Sequence, residues 1–231
     1  MKLLGIDTST DACTVGVDHD GSVEVRHRVE ARAHTRRLVG MIEECLKAAA
    51  LTVEQLDAVV LGNGPGSFIG MRIGASVAQG MAFAAGKPLI PVDSLAVIAA
   101  EVLATSSADT VLVAQDARMN EVYLGRYRRA GNGDSAAPDL VALGEIALHP
   151  VGDALAETES FAIAGGGWRR HPQLAAALPP DTVDLANIAV PHARYLLDRG
   201  RRAAESGRLI DPAALEPAYV RQTVATPPSA G

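Results

Sequence analysis

Residues 58–85 place the tightest constraint on what this chain can fold into. The apolar run Ala58-Val59-Val60-Leu61 reads as a buried strand, Gly64-Pro65-Gly66-Ser67-Phe68-Ile69-Gly70 follows as a turn, and a helix-like run begins at Gly70 and ends near Ala85. Another short apolar run, 89–92, comes next. A strand, a turn, a helix and a strand make a crossover between strands of one sheet, and such crossovers are right-handed. The turn has two readings. Gly64, Gly66, Ser67 and the helix start could present free N–H groups to an anion, which the helix dipole favours. Alternatively, glycines allow positive φ or close backbone approach, and the turn simply lets the helix pack hard on the sheet.

Two common nucleotide motifs do not fit. A Walker A loop needs GxxxxGK[ST], and here Gly70 is followed by Met71-Arg72. The dinucleotide fingerprint needs GxGxxG after the first strand of its unit, whereas Gly64-x-Gly66-xxx-Gly70 is one residue too long and follows about sixty residues of other structure.

Aromatic residues make up only 3% of the 231 residues although 48% are hydrophobic, so the core must be built from Ala, Val, Leu and Ile, as in sheets covered by helices. A net charge of −6 argues against broad electrostatic binding to nucleic acid and leaves any RNA contact local or delegated to a partner. Cys13 and Cys45 fall on expected core faces and read as buried thiols of a cytoplasmic protein. The chain opens directly on a strand, with no signal peptide expected, and no apolar run is expected to reach the roughly 18 residues of a membrane span.

The rest of the pattern extends the crossover into a whole lobe. Leu3–Asp7 reads as a strand, Cys13, Val15 and Val17 alternate as a second, and Asp20-Gly21 turns the chain into a third that carries Val23, Val25 and Val29. Leu38, Met41, Ile42, Cys45 and Leu46 recur at helical spacing over 35–49, Thr52 and Gln55 form a capping box, and Asp93-Ser94 caps a helix over 95–104. The order β-β-β-α-β-α-β-α implies a mixed sheet with helices on both faces, the order of the ribonuclease H-like and actin-like ATPase architecture. After a boundary near 105–109 it begins again: strands 111–116 and 122–127, a loop tip at 131–134, a strand near 139–143, a helix near 150–157, a strand over 161–165 and a long helix over 187–205. The expectation is an α/β chain of two lobes. An N-terminal lobe, 1–105, binds the partner. A smaller, degenerate second lobe, 106–223, has a last helix able to pack back on the first, and 224–231 is a disordered tail.

Five segments carry a family resemblance: Leu4–Cys13, His34-Thr35, Gly62–Gly74, Asp116-Ala117-Arg118-Met119-Asn120-Glu121-Val122-Tyr123 and Glu216-Pro217-Ala218-Tyr219-Val220-Arg221. In order and across nearly the whole chain they resemble the bacterial TsaB (YeaZ) family, with Ile69 standing where that family usually has Thr. The resemblance implies a two-lobed actin-like fold and a non-catalytic role in making threonylcarbamoyladenosine beside the anticodon of tRNAs that read codons beginning with adenine. It implies that the paralogue TsaD performs the transfer, that the ATPase TsaE joins the two, that a homodimer forms when TsaD is absent, and that tRNA is met only through the complex.

The residues can be set against that expectation. A catalytic chain of this kind would carry an HxxxH helix pair for a metal; His19, His27, His34, His149, His171 and His192 are never three or four positions apart, so no metal site is expected. Asp7, Thr8 and Ser9 stand where an actin-like ATPase has its first phosphate loop, yet they read equally as an Asx turn. The second loop should be glycine-rich but is Asp116-Ala-Arg-Met-Asn, and Gly165-Gly166-Gly167, backed by Trp168, is either a worn adenosine loop or a plain strand-to-helix turn. Asp7, Thr8, Ser9, Gly64, Gly66, Ser67, Gly165 and Gly166 are therefore the candidate vestigial loops. No tightly bound cofactor is expected, and weak ATP or ADP binding at the partner interface is left open. His34, Arg36 and Arg37 could meet an acidic partner or RNA, or form a solvated helix end. Ser67 has no His–Asp pair to activate it, which removes a hydrolase triad. The competing function is an actin-like ATPase or kinase acting on a small molecule. For the partner surface, Ile73, Val77, Met81 and Ala84 are expected to face inward. The small strip Ala75, Ala78 and Ala82 is expected, with Leu38, Met41 and Cys45, to face a homodimer mate or TsaD.

Overall fold

The structure, a computed structural model, describes residues 1–130, 139–153, 155 and 161–220. The loop tip 131–134, residues 154, 156 and 157 of the helix expected near 150–157, and the tail 224–231 lie outside the described residues; the described part of that helix is instead the end of a strand at Pro150 and a turn over 151–153.

The first sheet is built from β1 (Lys2–Asp7), β2 (Ala12–His19), β3 (Ser22–Val29), β4 (Ala58–Gly62) and β5 (Leu89–Val92), in the order β3-β2-β1-β4-β5. The hairpin strands run antiparallel, with Leu4 opposite Val17 and Ile6 opposite Val15, while β1, β4 and β5 are parallel to one another. Helices α1 (His34–Ala48) and α2 (Phe68–Ala85) cover one face through Leu4, Ile6, Val15, Val59 and Leu61. The other face, with Leu3, Val60 and Ile90, packs on α3 (Ser94–Thr105) and on the last helix, α5 (Ala193–Glu205).

The second sheet repeats this topology. Its strands are β6 (Thr110–Arg118), β7 (Glu121–Ala130), β8 (Asp139–Ala142), β9 (Ala147–Pro150), β10 (Ala162–Ala164) and β11 (Val183–Asp184), ordered β11-β10-β6-β7-β8 with β9 also on β7. Again the first two strands form an antiparallel hairpin, and the last two, β10 and β11, add in parallel to the first. The copy is worn: where the first lobe has the 18-residue α2 between its last two strands, the second has the five-residue α4 (Gly166–Arg170) and a short 3-10 turn.

Helix α3 lies between the lobes, with Val97 in the core of the first sheet and Leu95, Ile98, Val102 and Leu103 in that of the second. Burial on both sides explains why it is apolar all round. Helix α5 begins six residues later than expected, after Pro191, with His192 as its cap. It does pack back on the first lobe: the Ala193 amide donates to Thr14 Oγ1 (3.0 Å), and Arg201 pairs with Asp18.

One helix corrects two expectations. By length and mean hydropathy (1.2), α2 meets the minimum for a membrane span, which no segment was expected to do. It lies instead along the first sheet, and by its glycine and alanine side. Gly74, Ala75, Ala78 and Ala82 are buried, Ile73, Val77 and Met81 are half-buried at the margin, and Ala84 is exposed. The expected partner surface is therefore wrong. Leu38, Met41, Cys45, Ala75, Ala78 and Ala82 all lie in the core of the first lobe, and Cys45, Ala78 and Ala82 are fully buried. The physical reason is distance: a Cβ at Gly74 would stand 2.5 Å from Thr8 Oγ1, so the helix sits too close to β1 and its turn for large side chains between them.

Candidate functional site

The two lobes enclose a cleft of about 1310 Å³. Its walls are the turns that end equivalent strands: Ser9-Thr10-Asp11 after β1 and Gln115 to Met119 at the end of β6. The start of α2, from Gly66 to Ile73, forms the floor with Arg32, His34 and Thr35, and Ala218 and Tyr219 close one side.

Of the expected vestigial loops, only Ser9, Gly66 and Ser67 reach this cleft. Asp7 and Thr8 are buried behind it. Asp7 accepts from the Ser9 amide (2.7 Å) and from the Ser94 hydroxyl (2.8 Å), and Ser94 Oγ in turn accepts from the Gly64 amide (3.0 Å). Burial raises the Asp7 pKa, and the hydrogen bonds from Ser9 and Ser94 partly hold it back. This is the Asx-turn reading, with Ser94 added as a strut between two loops.

The glycine turn is clamped in the same way. Ser67 N donates to Ser9 O (2.6 Å), Gly70 N to Ser67 Oγ (3.3 Å), and Thr8 Oγ1 to Gly70 O (2.7 Å). A Cβ at Gly66 or Gly70 would fall inside 3.0 Å of the carbonyl oxygen of Ser9 or Thr8 respectively. Close approach, with positive φ needed only at Gly64 (+84°), accounts for these glycines, and the N–H groups of Gly64, Ser67 and Gly70 already have partners. Gly165 (φ +99°) and Gly166 turn the chain onto β6 beside Ala114 and Gln115 and do not line the cleft; Trp168 is buried behind them.

What the cleft does present is mixed charge. Arg32, Arg72 and Arg118 line it with Asp11 and Asp116. Asp116 pairs with His171 (3.2 Å) and with Arg118 (3.2 Å). His34 is buried, and its Nδ1 has no hydrogen-bond partner among the described residues. Arg118, Met119 and Asn120 all have left-handed backbone (φ 55–63°), as does Arg32 (φ 61°), a conformation uncommon without glycine. The guanidinium of Arg72 lies 3.6 Å from the centroid of Phe68, and its Nε donates to Tyr219 OH (3.0 Å). Ser94, Arg72 and the left-handed arginines were not singled out from the sequence. Tyr219 was visible there only inside a motif with no assigned role.

Comparison with known proteins decides the family. The chain is 32% identical over 229 residues to the "tRNA threonylcarbamoyladenosine biosynthesis protein TsaB" of Haemophilus influenzae, covering 97% of this chain and 95% of the relative. It is 33% identical to the protein of the same name from Escherichia coli, covering 97% and 96%. The solved YeaZ from Pseudomonas aeruginosa superposes with a TM-score of 0.83 at 33% identity, covering 94% of this chain and 99% of that one. The chain belongs to the TsaB (YeaZ) family. The model of the family "TsaD: tRNA N6-adenosine threonylcarbamoyltransferase" also matches, over residues 25–180. Within the TsaB family the departure at Ile69 now has a place. It stands at the cleft edge on the first turn of α2, 70% exposed, and presents an apolar surface there.

Proposed function

We propose that this chain serves tRNA threonylcarbamoyladenosine biosynthesis as a docking subunit for a TsaD-type transferase and does not perform the transfer itself. The observation that carries the reading is an exposed apolar face on the first lobe. Ile69, Ile73, Ser76, Gly80 and Phe83 follow one another along the outer side of α2, and Val39 projects from the adjoining flank of α1. Phe83 is 73% exposed, Ile69 70% and Val39 54%. Large exposed side chains in one patch mark interaction sites. Between them, Ser76 and Gly80 leave room for another helix to approach, and nothing among the described residues lies within 4 Å of a Cβ placed on Gly80.

Two further points support a non-catalytic role. The six histidines are not spaced for a helical metal pair, and on α3, where that pair would fall, Leu95, Val97, Ile98, Val102 and Leu103 are all buried in apolar cores. The same outer face suits a second copy when TsaD is absent, with TsaE joining the assembled pair and tRNA met through the complex. Weak ATP or ADP binding finds support in the unpartnered His34 Nδ1 and the cleft arginines; the satisfied N–H groups of the glycine turn weigh against tight binding.

The experiment is reconstitution with the same organism's TsaD and TsaE, tRNA and threonylcarbamoyl-adenylate, omitting one component at a time. Modification should require this chain together with TsaD, and Phe83→Glu should abolish the pairing while leaving the circular dichroism spectrum unchanged. Modification by this chain alone, or wild-type pairing by Phe83→Glu, would sink the reading.

A further inference from the structure

Away from the cleft and from the outer face of α2, the first lobe carries a second recess, about 380 Å³, between the edge strand β3 and helix α1. Arg26 and Arg28 point into it from β3, because they oppose Val15 and Cys13 on the sheet face that α1 covers. Arg36 and Arg37 enter from α1, with Gly40, Met41 and Glu44. The local charge is far from the average: residues 26–37 contain five arginines and one glutamate in a chain of net charge −6.

We infer that this groove is a contact for the phosphate backbone of RNA. The inference rests on the tRNA-modification reading above and deepens it. Four guanidiniums converge from two elements, and guanidiniums are always charged and form fork-shaped pairs with phosphate. Arg36 and Arg37 are 69% and 51% exposed and both pair with Glu30, while Arg26 pairs with Glu24 and Glu44. Such exposed pairs are weak and yield readily to a more highly charged partner. Arg28 has no ion pair among the described residues and is exposed.

Gly40 supplies an independent reason to expect close approach. It sits inside α1, where glycine weakens a helix, and nothing among the described residues lies within 4 Å of a Cβ placed there. Internal packing therefore does not require it, and it leaves the helix side of the groove bare. The lining also contains no Phe, Tyr or Trp and little apolar surface, so it lacks the large aromatic anchors that protein interfaces use. A phosphate chain needs only positive charge and room, and such contacts position RNA without reading its bases. Arg37, Gly40 and Glu44 lie on the β3 flank of α1 and Val39 on the other, so the groove stays open when the apolar face is covered.

The test is fluorescence anisotropy of labelled tRNA over a series of salt concentrations, with the full chain alone and again with TsaD present. Arg28→Gln combined with Arg37→Gln should weaken tRNA binding on the order of tenfold, and should lower the magnitude of the slope of log affinity against log salt by about 1.4–1.8, since each lost phosphate contact is worth roughly 0.7–0.9. Lys87→Gln, a cation remote from the groove, should change neither. Pairing of the double variant with TsaD should match wild type. An unchanged slope in the double variant, or no tRNA binding by the wild type in either setting, overturns the inference. So does poly-glutamate that displaces tRNA from the wild type but not from the double variant while binding more tightly than tRNA, which would assign the groove to an acidic protein. Loss of pairing by Phe83→Glu bears only on the docking reading, so the two failures are distinguishable.

Discussion

Substituting Gly66 by alanine tests the clamp between the two loops at the base of the cleft. The added Cβ would collide with the Ser9 carbonyl oxygen, a backbone atom that cannot rotate away. That oxygen also accepts the Ser67 amide at 2.6 Å. Relieving the clash must move one loop and break this bond. Overpacking costs about 1–3 kcal/mol and leaving the partners unsatisfied about 1–3 more, offset by roughly 0.5–1 from the stiffer unfolded chain. A net loss of about 1–5 kcal/mol should lower Tm by roughly 2–20 °C, at about 2–4 °C per kcal/mol for a chain of this size. Gly80→Ala provides the contrast: it meets nothing within 4 Å inside helix α2, so it should raise the stability of the isolated chain by about 0.5–1 kcal/mol. Both are read by thermal and urea unfolding followed by circular dichroism. A Gly66→Ala chain that melts with the wild type would show that the turn tolerates a side chain, and the close-packing account of these glycines would fall.

Ala78→Arg, at a fully buried position, should fail to fold, because it would lose more than about 4 kcal/mol to overpacking and an unpaired charge; a native circular dichroism spectrum for this variant would contradict the inward placement. His27 and His192 stack at 5.0 Å, and burial lowers both pKa values below the ordinary 6.5, with His27 and Arg194 lowering His192 further. The unfolded chain then binds more protons, so their contribution to stability is present above about pH 6.5 and is lost as pH falls below it. Buried Asp7 and Asp93, with raised pKa values, act with the opposite sign, losing stability as pH rises above the ordinary carboxylate range; comparison with His192→Asn, which can still cap α5, isolates the histidine part and should flatten the fall in Tm between neutral pH and about pH 5.5. Tyr219→Ala removes the partner of Arg72 and should speed proteolysis of the C-terminal segment without lowering Tm by more than a few degrees; wild-type proteolysis would show that the stack does not hold that segment.

Much of this architecture was legible in the sequence because it rests on local periodicity. The two-residue alternation of Cys13, Val15 and Val17 and the helical spacing of Leu38, Met41, Ile42, Cys45 and Leu46 each describe one element, and a single face of each is apolar. The element order then fixes the doubled topology, since right-handed crossovers leave few alternatives. The segments Gly62–Gly74 and Asp116–Tyr123 carry the family likeness, and both line the cleft. Short elements were harder: β9, β11 and α4 are too brief to show a period.

Only the tertiary structure decided which side of α2 faces in. Apolar residues ring that helix, so periodicity alone left two candidate faces, and the rule that larger side chains lie inside selects Ile73, Val77 and Met81. The gap between α2 and the β1–β2 turn overrides it, because Thr8 stands so near Gly74 that only glycine and alanine fit, and the larger residues are displaced to the margin or to the surface. The site depends in the same way on contacts far apart in sequence. Ser94 reads as part of a helix cap until the fold sets its hydroxyl between Asp7 and Gly64, and Tyr219 has no role until it reaches Arg72. A sequence can state which residues repeat with which period. How closely two elements approach is set by every other element they pack against, and in this chain that distance determines which residues are core and which are left to meet a partner.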